Sequence, residues 1–307
     1  MLKTASSMKL VRFSHSKKEL YGILDGDRVI CLPILAVKMK ESFPSCLESF
    51  ILEGSDDASV KGLLQRATRE DVKRATFQLS KLKVLAPIEK PPKIVCLGLN
   101  YIDHAQEQGR CPPDEPIIFL KPRTTIVGPE ENIVKPSFVK QLDYEAELAV
   151  VIGREVKNAT IKEAESSIFG YTILNDVSAR DVQFKDKQWT RGKSFDTFAP
   201  MGPCIATANG IEDPTNLTIR TWVNGELRQN STTSNMVLNV FEIVRSLSDV
   251  MTLEPCDIIS TGTPAGVGFA IKPKPKFLQE DDLVEIEIEG IGILKNRVVE
   301  DSNRGNR

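Results

Sequence analysis

Beyond a proline cluster at its first third, this chain has too few helices to alternate with its strands. The cluster reads Ala86-Pro87-Ile88-Glu89-Lys90-Pro91-Pro92. After it come short β-forming runs at 93–97, 117–120, 147–152, 170–175, 217–223, 257–260 and 283–288. Only two segments there read as helix. One starts at Thr160, whose Thr-x-x-Glu pattern with Glu163 is a capping box. The other spans 237–250, with Val240, Phe241, Val244 and Leu247 on one face. A doubly wound parallel sheet needs strand and helix in alternation, so that class is excluded. The pattern predicts an α+β, mainly β domain of the roll or sandwich kind. Asn224-Gly225 marks a two-residue hairpin, and Gly290 with Gly292 marks a hairpin or bulge in the last β run.

Ahead of the cluster the texture differs. Residues 8–34 read as short strands with a hairpin signal at Asp25-Gly26, and 33–82 as helical, with Leu63, Leu64, Ala67 and Val72 among charges. We therefore expect a small N-terminal α+β domain over 1–86 and a catalytic domain over 87–307.

Composition narrows function by exclusion. Forty Lys and Arg face 42 Asp and Glu, so no basic excess points to nucleic acid. Apolar runs such as 148–152 are too short to span a bilayer. The N-terminus lacks an apolar core of signal-peptide length. Its residues before Met8 are basic and Ser-containing, which leaves a cut-down organelle signal open, with Met8 as an alternative start. Cys31, Cys46, Cys96, Cys111, Cys204 and Cys256 form no C-x-x-C pair, which predicts reduced, mostly buried thiols in a cytoplasmic setting. Sequons at Asn158, Asn216 and Asn230 then read as chance matches.

The chemistry sits in a few segments. Glu145 and Glu147 stand two residues apart at the start of an apolar strand, and residues i and i+2 share a strand face. Carboxylates held that close repel unless one binds a proton or a cation neutralises them. A hard divalent cation does so with oxygen ligands, and Asp176 can supply a third carboxylate. The plain alternative is the wet face of an amphipathic sheet. Histidine occurs only at 15 and 104. His15 lies in a polar stretch and reads as solvent-exposed. His104 and Glu107, at i and i+3 of a short helical turn, would form an oriented imidazole able to act as a general base; a surface pair is the alternative. With so few histidines, a carboxylate-only site suits Mg2+ or Mn2+ better than zinc or non-haem iron. Gly262-Thr263-Pro264-Ala265-Gly266-Val267-Gly268 is no phosphate loop; it reads as backbone amides approaching a substrate carboxylate, or as an ordinary turn. Lys193 reads as a substrate-facing cation or a surface lysine.

Five ordered motifs over two hundred residues carry a resemblance. They are 98–104 (GLNYIDH), 145–148 (EAEL), 175–181 (NDVSARD), 192–196 (GKSFD) and 261–268 (TGTPAGVG). Together, across about 92–300, they resemble the fumarylacetoacetate hydrolase family, nearest its domain-containing proteins and bacterial isomerase/decarboxylase relatives. The dedicated tyrosine-pathway hydrolase has an additional metal aspartate with no clear equivalent here. The resemblance implies a mixed β-roll catalytic domain, usually a homodimer, with a small N-terminal domain. It places Glu145, Glu147 and Asp176 on the metal and His104 with Glu107 as an acid–base dyad over the site. Arg180, Gln183 and Lys193 then bind substrate oxygens, and Thr263 a carboxylate. The implied activity is on a 2-oxo (di)acid or acylpyruvate through a metal-stabilised enolate: C–C hydrolysis, decarboxylation of oxaloacetate-like acids, or keto–enol tautomerisation. A hydratase or lyase on a sugar acid or ureido acid, and a non-catalytic dicarboxylate binder, are the alternatives.

Overall fold

The structure is a computed structural model and describes residues 8–301 except Lys187. The readings made for the extreme N-terminus and for the chain beyond Asp301 lie outside the described residues.

Ala146–Ile152 is buried at all seven positions and forms the centre of the larger sheet. It pairs antiparallel with Ile168–Asn175 on one side and with Ile258–Ser260 on the other. Ile94–Gly98 joins parallel to Ile258–Ser260, and Ile117–Lys121 closes that edge. On the opposite side follow Ala199–Thr207, Lys9–His15, Lys18–Asp25, Arg28–Cys31 and Thr76–Gln78. The N-terminal strands thus enter the same sheet through Lys9↔Ala206 and Leu10↔Ile205. A second sheet runs Glu226–Thr232, Thr218–Val223, Leu283–Ile288, Gly292–Glu300 and Ile133–Lys135.

Strand alternation sorts the apolar residues into two cores. Leu148, Val150 and Ile152 pack with Ile219, Ile286 and Leu294 of the second sheet and with Ile243, Val244 and Leu247 of helix Val240–Val250. Ala149 and Val151, one residue out of phase, pack with Met201, Ile205 and the N-terminal Leu32, Phe50 and Leu63. The mainly β, mixed architecture expected from the sequence is what forms. Each of the seven expected strands is present, with ends moved by two residues at most.

Three local details differ from the sequence reading. The helix expected at 237–250 starts at Val240, because Asn239 caps it and Val237 and Leu238 instead donate their amides to Asn100. The helical N-terminal stretch breaks into Leu32–Met39, Leu47–Leu52, Asp57–Arg66 and Arg69–Arg74, then yields a strand at Thr76–Gln78 that pairs with Arg28–Cys31. His15 is half-buried rather than exposed; its ring lies 4.6 Å from that of Phe77. The Thr160/Glu163 capping box forms as read. Among the described residues no helix is long and apolar enough to cross a membrane.

Candidate active site

Local pairing assembles the carboxylates. Ala146 faces Asn175 across the ladder, so the residues just outside it, Glu145 and Asp176, become neighbours. The amide of Asp176 donates to the Glu145 carbonyl (2.9 Å), and that of Glu145 to the Asn175 side chain (3.0 Å). Glu147, two residues on, projects beside them. One oxygen from each of Glu145, Glu147 and Asp176 lies within 4.8 Å of the others, and all three residues are buried.

Three fixed cations neutralise part of this cluster. Lys193 Nζ bridges Glu145 Oε2 (2.7 Å) and Asp176 Oδ2 (2.5 Å). Lys121 Nζ reaches Asp176 Oδ1 at 2.5 Å. Arg180 lies between Asp143 Oδ2 (2.9 Å) and Glu145 Oε1 (2.7 Å), and donates to Gln183 Oε1 (2.9 Å). Four buried carboxylates, counting Asp143, therefore meet three permanent positive charges, and Glu147 is the one left over. Burial pushes Glu145 up, but Lys193 and Arg180 outweigh it and hold it below the ordinary carboxylate range. Glu147 moves the other way. Burial, then repulsion from Asp176 and Glu145, drive it well above that range. Its Oε2 accepts from Ser260 Oγ and from the Gly262 amide (3.0 Å), whereas Oε1 is buried without a partner. An all-oxygen donor set, one orphaned buried oxygen and one unneutralised carboxylate fit a hard divalent cation.

The proton-handling group sits above. Helix Ile102–Glu107 carries both members of the dyad. His104 Nδ1 lies 2.7 Å from Glu107 Oε1, and Nε2 lies 2.8 Å from Gln108 Nε2. An amide nitrogen only donates, so Nε2 is an acceptor and the ring proton sits on Nδ1, facing the carboxylate. The ring of Phe269 packs edge-on to His104 and lies under the Arg180 guanidinium, 4.5 Å from its carbon.

The glycine-rich turn departs from its expected use. Its amides are directed at this chain's own carboxylates: Gly262 at Glu147 (3.0 Å), Gly266 at Glu107 (3.0 Å), Gly268 at Asp143 (2.7 Å). The neighbouring Phe269 amide also donates to Asp143, at 3.0 Å. Thr263 is buried and accepts from Gln229 Nε2 (2.8 Å). The turn is a clamp joining the dyad, the acidic cluster and the Arg180 anchor. Gly266 has φ +102°, and a Cβ there would sit 2.1 Å from the Arg228 carbonyl oxygen, so only glycine fits.

His104, Glu145, Glu147, Arg180, Gln183, Lys193 and Thr263 all line one cleft of about 540 Å³, part of it open to solvent. Asp176 lies beneath the cleft and Glu107 behind His104. Every residue assigned to the site from the sequence is thus brought to one place. Lys121, Asp143, Gln108 and Ser260 were given no role by the sequence reading. Asp143 stood in plain view two residues before Glu145; its partner Arg180 was 37 positions away, with no local pattern linking them.

With this geometry in hand, comparison places the chain. The family model described as fumarylacetoacetate (FAA) hydrolase C-terminal matches residues 93–299. The chain belongs to the fumarylacetoacetate hydrolase family. It is 44% identical over 296 residues to the mitochondrial oxaloacetate tautomerase FAHD2B of Bos taurus, covering 95% of this chain and 92% of that one. A solved fumarylacetoacetate hydrolase of Exiguobacterium antarcticum superposes with a TM-score of 0.82 at 36% identity, covering 96% of this chain and 100% of that one. Maleylpyruvate hydrolase of Sphingobium sp. SYK-6, solved with manganese(II) and pyruvate, gives 0.76 at 29% identity with the same coverage. The family relatives of this chain include tautomerases, isomerases and hydrolases of 2-oxo acid type.

Proposed function

We propose that this protein is a divalent-metal-dependent enzyme that interconverts the keto and enol forms of a 2-oxo acid, oxaloacetate being the first substrate to test. The observation that carries the reading is His104 Nε2, with its proton-free face set by Glu107, looking into the same cleft as Glu145, Glu147, Lys193 and Arg180. The oxaloacetate tautomerase relative, similar over nearly the whole chain, supports the choice among reactions.

Glu145, Glu147 and Asp176 would hold Mg2+ or Mn2+. When bound, the cation supplies Lewis acidity to the 2-oxo group. The chain's own groups do the rest. Arg180 and Gln183 hold the substrate carboxylate, and Lys193 stands where negative charge grows on the 2-oxo oxygen. Thr263 fixes the far side of the carboxylate. Once substrate displaces Gln108, His104 Nε2 takes a proton from C3, and Glu107 steadies the imidazolium through Nδ1–H. That proton is returned to the enol oxygen. The reaction is an isomerisation, so no co-reactant is needed. Desolvation under Phe269 and Phe119 strengthens each of these interactions.

The structure of maleylpyruvate hydrolase supports a second reading, C–C hydrolysis of an acylpyruvate, in which His104 would activate water instead. The experiment is one panel of 2-oxo acids, with and without Mg2+ or Mn2+, following the enol absorbance of oxaloacetate and the cleavage of acylpyruvates. Metal-dependent acceleration of the keto–enol exchange is expected. No acceleration above the spontaneous rate rejects the tautomerase reading.

We further propose a homodimer, to be checked by light scattering, in a reducing compartment, cytoplasm or organelle matrix, since all six cysteines are unpaired.

A further inference from the structure

Arg110 is the one cation lining the cleft that has no carboxylate beside it among the described residues. Arg180 and Lys193 line the same cleft, but each is gripped by two acidic side chains. His104 is held by Glu107. Arg110 is exposed and lines the cleft together with Phe184, Trp189 and Phe269.

Its backbone is not loose. Helix Ile102–Glu107 ends in a left-handed closure: Gly109 has φ +66°, its amide donates to Gln106 O, and that of Arg110 to Ala105 O, both at 2.9 Å. This pair of bonds fixes the residue after the glycine against the last helical turn. Arg110 is therefore carried on the same short rigid unit as His104.

Arg180 and Lys193 are each held by two acidic side chains and, in the reading above, serve the substrate's 1-carboxylate and 2-oxo group. A second, distal carboxylate needs a further positive charge, and among the described lining residues Arg110 is the one that offers it. A guanidinium meets a carboxylate with two parallel hydrogen bonds. The geometry points to Arg110 as the residue that selects a 2-oxo dicarboxylate over a 2-oxo acid with an apolar tail. This rests on the 2-oxo acid reading above. A distal carboxylate on Arg110 also ties the substrate's tail to the unit that positions His104.

The test is a pair of isosteric ligands, 2-oxoglutarate and 5-methyl-2-oxohexanoate, titrated by calorimetry into the Mn2+-loaded wild type, Arg110→Ala and Arg110→Lys. The wild type should prefer the diacid. Arg110→Ala should lower that preference by about 3- to 20-fold, the lower figure allowing for solvent screening of an exposed pair. Arg110→Lys should keep part of it, as a point charge without the planar fork. A wild type that binds both alike, or neither, overturns the assignment. So does an alanine variant that keeps the preference or loses both ligands equally. Preference in binding without turnover on the substrate panel would count against the proposed reaction and leave Arg110's role standing.

Discussion

Glu147→Gln tests the charge balance at the centre of the cleft. Glutamine keeps the shape, and its oxygen can still accept from Ser260 and Gly262. Its NH2 falls where Glu147 Oε1 is buried without a donor, beside the acceptor oxygens of Glu145 and Asp176. The two side chains then differ chiefly in titration. Burial and the neighbours Asp176 and Glu145 raise Glu147 well above the ordinary carboxylate range. The metal-free folded protein keeps that proton, whereas the unfolded chain releases it near its free value of about 4.3. Above that value the folded state binds more protons than the unfolded one, so wild-type stability falls as pH rises. The fall is about tenfold in the folding equilibrium per pH unit, until the raised folded value is passed. Glutamine does not titrate. In chelator-treated samples the variant should therefore gain on the wild type steadily as pH rises from about 5 towards neutrality, read by urea unfolding. Added Mn2+ should stabilise the wild type with concentration and the variant far less, and uptake by the wild type should release a proton. A wild-type–variant difference that stays constant across that pH range would falsify the charge argument. Equal stabilisation of both by Mn2+ would remove Glu147 from the metal.

His104→Ala should leave Mn2+ binding intact and lower tautomerisation by about 10²–10⁴-fold, measured on the best panel substrate; near-full activity would assign the proton to another base. Glu107→Gln should do less harm, but not none: His104 and Gly266 use different oxygens of Glu107 and glutamine keeps one, so a pH–rate profile should show a loss intermediate between wild type and His104→Ala. Gly266→Ala should lower kcat while Mn2+ affinity stays, because the new Cβ meets the Arg228 carbonyl and displaces the amide that holds Glu107; unchanged kcat would mean the clamp is not needed. All six cysteines should titrate as thiols in denaturant, and only Cys46 and Cys111 quickly in the native state. Burial pushes Cys31 to about 11, Cys204 and Cys256 to about 12, and Cys96 well up. Fewer than six in denaturant would contradict the reduced state.

Short-range chemistry made much of this readable in one dimension. The Glu145/Glu147 spacing, the His104/Glu107 turn and the Thr160/Glu163 cap each depend on residues a turn or a pleat apart. The partners of those groups do not. Ser260 reaches Glu147 across 113 positions because their strands pair, and Lys121 reaches Asp176 across 55 from an edge strand not paired with the one that ends at Asn175. Nothing around Lys121 distinguishes it from a surface lysine. The glycine-rich turn was visible, but which anions its amides serve depends on where the sheet ends. His15 was misread because Phe77, its cover, lies in a segment whose pattern is helical.

The pairing of Lys9–His15 with Ala199–Thr207 bears on any attempt to cut the protein down to its recognisable family segment. Such a piece, 93–299, would lose the partner of Ile205 and Ala206 and the apolar cover of Ala149, Val151 and Met201. It would offer a bare strand edge beside a greasy sheet face, a template for sticking to other copies. Ala149 and Val151 follow Glu147 on its own strand face, so the backing of the acidic cluster would loosen with them. A minimal version of this enzyme must therefore begin at its first strand, not at its first motif.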